Sequence, residues 1–152
     1  SLSWALWERI KFGKSSMVGI VTGTIAGLAS ITPASGFVGP WEALIIGAVA
    51  GVLCQEAVVL IRNKAKIDDT LDVFAVHGVG GIFGTIMIAA FGAGTWAAQL
   101  GSLAIVGIYT TVVTVALLFI CKAITPLRVS EEDEITGLDL AVHGERAYEL
   151  TS

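Results

Sequence analysis

The sequence predicts an all-α, polytopic membrane helix bundle with about four transmembrane helices and the end of a fifth. Three observations predict it. Hydrophobic residues make up 55% of the 152 residues and charged residues only 14%, with a mean hydropathy of +0.82; a soluble domain carries about 25% charge. That leaves too little charge to cover a solvated surface and too much apolar surface for disorder. The charges are bunched, so apolar runs remain that can cross a hydrocarbon core about 30 Å thick, which takes about 20 helical residues. The 18 glycines lack collagen's period and recur at four-residue spacing, which suits helices packed closely in lipid.

Each element follows from where the charges stop. The segment up to Trp7, followed by Glu8 and Arg9, reads as the interfacial end of a helix that began earlier, with Trp4 and Trp7 as anchors. Position 1 is Ser rather than Met, as in a processed, trimmed or fragmentary product, and no signal-peptide cleavage site follows. The charge-free stretch between Lys14 and Glu42 gives a helix near 15–32, broken at its end by Pro33 to Pro40. A second helix near 41–61 ends at Arg62 and encloses one acid, Glu56. The run from Asp72 to Lys122 holds two passes, near 70–91 and 97–122, divided at Gly92-Ala93-Gly94-Thr95. The transmembrane bundle is therefore expected over 1–126 and a polar tail over 127–152.

The basic residues orient these helices. Arg9, Lys11 and Lys14 precede the first full helix, Arg62, Lys64 and Lys66 separate the second and third, and Lys122, Arg128 and Arg146 follow the fourth. The loops around 31–41 and 92–96 contain no Lys or Arg. The positive-inside rule then predicts a multi-pass protein of the cell (plasma or inner) membrane, with the basic loops and the C-terminus in the cytoplasm. The tail holds seven acids against Arg128 and Arg146, which excludes anionic lipid and nucleic acid as its partners. Leu138, Leu140, Val142 and Tyr148 give it apolar side chains with which to pack.

Gly19, Gly23 and Gly27 share one helix face, and Gly47 with Gly51 and Gly80 with Gly84 repeat the spacing. Such faces let backbones approach closely, so most of these glycines are expected to serve packing alone. Cys54 and Cys121 fall in apolar runs and read as inert packing residues, giving neither a disulfide nor a metal site. No cofactor, no metal, no catalytic residue and no enzymatic activity is expected.

Five ionisable groups lie in or beside the spans: Glu42, Glu56, Asp69, Asp72 and His77. Such groups are costly in lipid and are functional candidates by default. Glu42, beside Trp41, suits an interface. Glu56 lies about a turn and a half before Arg62, open to water from the cytoplasmic side, and carries no assigned role. Asp69 suits an N-cap, with Asp72 in the first turn at N3. Asp69, Val73, His77 and Gly81 step by four along one helix face. A lone histidine inside a bundle is commonly a satisfied core group. The glycines around His77 also admit a second role, in which the imidazole donates through one nitrogen, accepts through the other and relays a proton.

These residues carry a resemblance. The run from Asp68 through Asp69, Asp72, Val73 and His77 to Gly81 resembles the tenth-helix motif of the ammonium transporter (Amt/Mep/Rh) family. Thr32-Pro33-Ala34-Ser35-Gly36-Phe37-Val38-Gly39 is similar to that family's turn between the eighth and ninth helices. The tail from Gly137 and Asp139 to His143, Gly144, Glu145 and Tyr148 resembles the cytoplasmic signature of the Amt branch. The resemblance covers essentially the whole chain. It implies the end of the seventh helix, helices eight to eleven and the tail of an 11-helix inverted-repeat fold.

By that resemblance His77 is the second of two pore histidines and Val73 a pore-wall residue. Asp69 supports the helix, while Asp72 and Thr22 lie toward the cytoplasmic exit. The first histidine, the aromatic gate and the outer cation site have no counterpart in these residues, so the chain alone is not expected to transport. The family implies a homotrimer in the bilayer that takes up ammonium and passes neutral ammonia through a hydrophobic pore, with the proton relayed separately. It also implies regulation through the tail and docking of a PII-type signal protein. The alternatives are a non-transporting ammonium sensor, a membrane assembly fragment, and a channel for another small neutral solute.

Overall fold

The computed structural model describes residues 1–146, and every regular element among them is helical. These residues form two compact units, 1–106 and Gly107 onward. In the first, α1 (Leu2–Phe12) ends at Gly13 in a left-handed conformation. The Glu8 carboxylate accepts the N–H of Ser16 at 2.8 Å and its hydroxyl at 3.0 Å. Ser16 in turn caps α2 (Met17–Ile31), its hydroxyl accepting the N–H of Gly19 at 2.9 Å. A 3₁₀ turn, Thr32–Ala34, follows where Pro33 denies the helix a donor. Pro40 opens α3 (Pro40–Val59) in the first turn, where its missing N–H costs nothing. The helix runs on as a π-helical turn, Leu60–Ala65. A second π-helical turn, Phe74–Gly78, leads into α4 (Val79–Ala90), and α5 (Trp96–Ile124) follows.

Three stretches are long and apolar enough to cross a membrane: Met17–Ala34, Pro40–Ala65 and Trp96–Ile124. They match the spans expected near 15–32, 41–61 and 97–122, the second running four residues further. The helix expected near 70–91 differs. It begins only at Phe74, because Asp72 takes a φ of 54°, which an α-helix cannot contain. The remaining apolar stretch, Phe74–Ala90, is shorter than the other three.

Glycines set the packing of the first unit. A Cβ built on Gly84 would overlap the backbone carbonyl oxygen of Ser30, and one on Gly80 would lie 2.7 Å from the Ser30 hydroxyl oxygen. The α2 and α4 backbones can therefore meet at Ser30 only because both positions lack a side chain. Gly23 receives Trp4 of α1 and Gly51 receives Ser3. Gly27 and Gly47, on the same faces one turn further along, have nothing within 4 Å. Trp4, Ala26, Cys54 and Val76 form one buried cluster, and Ala34, Ile46 and Ile88 a second.

The second unit carries the tail. Ser130 caps α6 (Glu131–Thr136), its hydroxyl accepting the Asp133 N–H at 3.1 Å. The four acids of its first turn, Glu131 to Glu134, suit the positive end of the helix. Arg128 pairs with Glu134 at 2.8 Å. A π-helical turn, Asp139–His143, ends at Gly144 in the left-handed region. Leu138 and Val142, expected to pack, are exposed in this chain.

Candidate functional site

The site is built from the segment that joins α3 to α4. Lys66, at a φ of 53°, turns the chain out of the π-helical end of α3, and the Ile67 N–H closes the turn on the Ile61 carbonyl at 3.2 Å. Two residues on, Asp69 accepts three backbone N–H groups. Val73 donates to Oδ1 at 2.8 Å, and Phe74 and Ala75 donate to Oδ2 at 2.9 and 3.3 Å. The first N–H groups of a helix have no partner inside it, and an anion at that end also meets the favourable end of the helix dipole. One carboxylate therefore starts the helix that carries His77.

Asp69 thus does the capping expected of it, from just outside the helix. Asp72 does not stand at N3 of the first turn. It is the left-handed residue of the turn itself, its N–H donating to the Asp69 carbonyl at 3.0 Å and its own carbonyl accepting the Val76 N–H at 2.8 Å. Its carboxylate faces Arg62. Nη2 of Arg62 donates to Asp72 Oδ2 and to the Thr70 carbonyl, both at 3.0 Å, while Nε lies 2.8 Å from Oδ1 without hydrogen-bond alignment. Burial pushes the Asp72 carboxyl above its ordinary value and Asp69 adds to this, while the charge of Arg62 and its hydrogen bond oppose it.

From Phe74 onward the helix has two unlike sides. Ala75, Val76, Gly80, Gly84 and Ile88 are buried. Val73 and His77 are exposed, and nothing lies within 4 Å of the Cβ position of Gly81. Val73, His77 and Gly81 thus share one bare strip, as their spacing predicts. Among the described residues the His77 imidazole makes no hydrogen bond and no ion pair.

The structure does not bring every expected residue to this strip. The Thr22 hydroxyl donates to the Val18 carbonyl at 2.8 Å, within its own helix. Gly137, Asp139, His143, Gly144 and Glu145 belong to the second unit. There the Asp139 carboxylate accepts the Leu140 N–H at 3.0 Å and the Asp139 carbonyl accepts that of Glu145 at 3.2 Å. Tyr148 lies outside the described residues. Glu56 does not look toward Arg62. It accepts the Trp7 indole N–H at 2.5 Å and the Lys11 ammonium at 2.7 and 2.9 Å, tying α1 to α3. Among the described residues no group of three or more His, Cys, Asp or Glu is placed to hold a metal ion.

Residues 1–148 match the profile of the Ammonium Transporter Family. The chain belongs to that family. It is 40% identical to the ammonium transporter of Aquifex aeolicus over 99% of its own length and 38% of the relative's. It is 39% identical to the ammonium transporter of Bacillus subtilis over 96% of its length and 40% of the relative's. It is 41% identical to ammonium transporter Amt1 of Archaeoglobus fulgidus over 95% of its length and 40% of the relative's. The chain thus spans about two fifths of the curated relatives it matches, and its apolar helices are part of a multi-pass membrane protein.

Within this ammonium transporter family member, two functional side chains escaped the motif-based reading. Arg62 counted only as a topological charge, although its ten-residue separation from Asp72 spans a single tight loop. Lys11 likewise counted as an orienting charge. The signal that could have found it was Glu56, an acid inside an apolar run, which needs a cation from some other helix.

Proposed function

We propose that this chain is the C-terminal portion of an ammonium transporter, in which His77 and Val73 line the path taken by ammonia derived from ammonium. The observation that carries the reading is the bare strip of Val73, His77 and Gly81 on a helix whose opposite side is sealed. Moving ammonium from water into a narrow apolar bore costs several kcal/mol, and the neutral molecule largely escapes that penalty. A neutral imidazole offers one donor and one acceptor, so it can hold ammonia and hand a proton along without a permanent charge in the bore. Asp69 keeps the helix end in register from outside the bore.

One wall is not a conduit. The rest of the bore comes from the portion of the transporter that the relatives carry and these residues do not, since transport sites form where two repeats face each other. In this reading the assembled protein is a homotrimer in the plasma membrane with its tail in the cytoplasm. The segment from Gly137 to Tyr148 is the regulatory contact, to a neighbouring subunit or to a PII-type signal protein. The deciding experiment is His77→Ala in the full-length protein. Methylammonium uptake into proteoliposomes should fall at least tenfold with assembly intact. Unchanged uptake would remove His77 from the path and favour the reading as a non-transporting sensor.

A further inference from the structure

The turn before Val73 is an unusual place for an ion pair. Residues 66 to 72 form a loop with a left-handed residue at each end, Lys66 and Asp72. Apart from glycine, Asn and Asp enter that region most readily, but there an isolated residue is held only by its surroundings. The surroundings here are one side chain. Arg62, on the π-helical end of α3, reaches across the loop and binds both the Thr70 carbonyl and the Asp72 carboxylate. The Asp72 side chain is only 15% exposed, so its charge depends on that partner. Asp72 in turn contributes the carbonyl that accepts the Val76 N–H, the residue before His77. A single guanidinium therefore links the end of one helix to the first turn of the next.

We infer that Arg62 is a positioning residue for conduction, clamping the Thr70 carbonyl and the Asp72 carboxylate so that the turn delivers Val73 and His77 onto the bare strip. This rests on the reading of His77 given above. The Asp69 carboxylate fixes the axial start of the helix through three N–H groups. Arg62 fixes its rotation, because the left-handed residue it holds decides the direction in which the chain enters the first turn. A planar fork suits this task, binding a carbonyl and a carboxylate at once. Loss of the cation leaves a largely buried carboxylate without a counter-charge at the point where the turn is least tolerant.

The test uses the full-length protein in proteoliposomes, with methylammonium uptake normalised to the folded, assembled fraction recovered by gel filtration. Arg62→Gln should lower the maximal rate at least fivefold and leave KM within twofold, since the cation is recruited elsewhere. Arg62→Lys, which keeps the charge toward Asp72, should restore at least half of the lost rate. Asp72→Asn retains a side chain that tolerates the left-handed backbone, so adding Arg62→Gln to it should change the rate by less than twofold. That pair of variants also serves if Arg62→Gln alone fails to assemble. Wild-type rates in Arg62→Gln, or equal losses in the Lys and Gln variants, would overturn the inference, as would full additivity with Asp72→Asn. His77→Ala, run alongside, separates the two readings. If His77→Ala abolishes uptake and Arg62→Gln does not, only the positioning role falls. If neither changes uptake, the conduction reading falls with it.

Discussion

The two sides of the helix that begins at Phe74 share one stretch of sequence and meet opposite fates. On one side Gly80 and Gly84 are pressed against Ser30, and Ala75, Val76 and Ile88 are closed off. On the other, Val73 and His77 stand exposed and Gly81 has open space around it. Composition does not separate the sides, since both are glycine and aliphatic residues. Contact separates them. A glycine at a closed seam is there because nothing larger fits, whereas a glycine over open space is free of that demand and leaves room for something else. The same contrast runs along α2, where Gly23 is filled by Trp4 and Gly27 is not.

The contrast can be broken most severely at the seam. Gly84→Leu would drive a side chain into the Ser30 backbone carbonyl, and backbone cannot swing aside as the end of a flexible side chain can. Overpacking of a close seam costs about 1–3 kcal/mol or more, so most of the folded, assembled protein should be lost in detergent gel filtration. His77→Ala on the opposite side should do the reverse, keeping the assembled fraction and losing the flux. Asp69→Ala removes the acceptor for three N–H groups. A helix cap is worth about 0.5–2 kcal/mol, so the melting temperature should fall by several degrees and amide exchange should rise at Val73 to Ala75.

The sharpest comparison is the smallest. Gly81→Ala meets nothing within 4 Å and replaces a poor helix former, a gain of about 0.5–1 kcal/mol. Its stability should be equal to wild type or slightly higher, while Gly84→Ala, three residues on, is destabilised. Equal thermal stability of these two variants would erase the distinction between the sides. Glu56→Gln belongs at the low end as well. Its pair with Lys11 is partly exposed, so an effect of about 0.2–1 kcal/mol is expected, read as a small loss of thermal stability.

How much of this was legible in the sequence differs by element. Spans bounded by charge or proline, such as that from Pro40, were placed within a few residues because a charge or a missing N–H ends a helix by itself. The strip of Val73, His77 and Gly81 was legible from spacing, since any helix puts residues four apart on one side. The start of that helix was not. Thr70 and Leu71 carry no breaker, and the left-handed conformation of Asp72 is a property of the folded loop and its tie to Arg62. Glu56 and Lys11 meet across 45 positions of sequence, and no local pattern reports a pairing of that kind. Which glycines are filled depends on the neighbouring helix, so the four-residue spacing marked Gly27 and Gly23 alike although only one is occupied.

The π-helical turn at Phe74–Gly78 makes the length of this segment as constrained as its chemistry. Such a turn holds one residue more than an α-helical turn between bonded partners, the mark of an insertion absorbed without ending the helix. Deleting one residue between Asp72 and Gly80 would let the helix relax to its ordinary pitch, but everything on one side of the cut would rotate by about 100° relative to the other. Gly80 and Gly84 are held by Ser30, so the imidazole would have to travel. A frame-preserving deletion that removes no named residue should therefore be as damaging to flux as the loss of His77 itself.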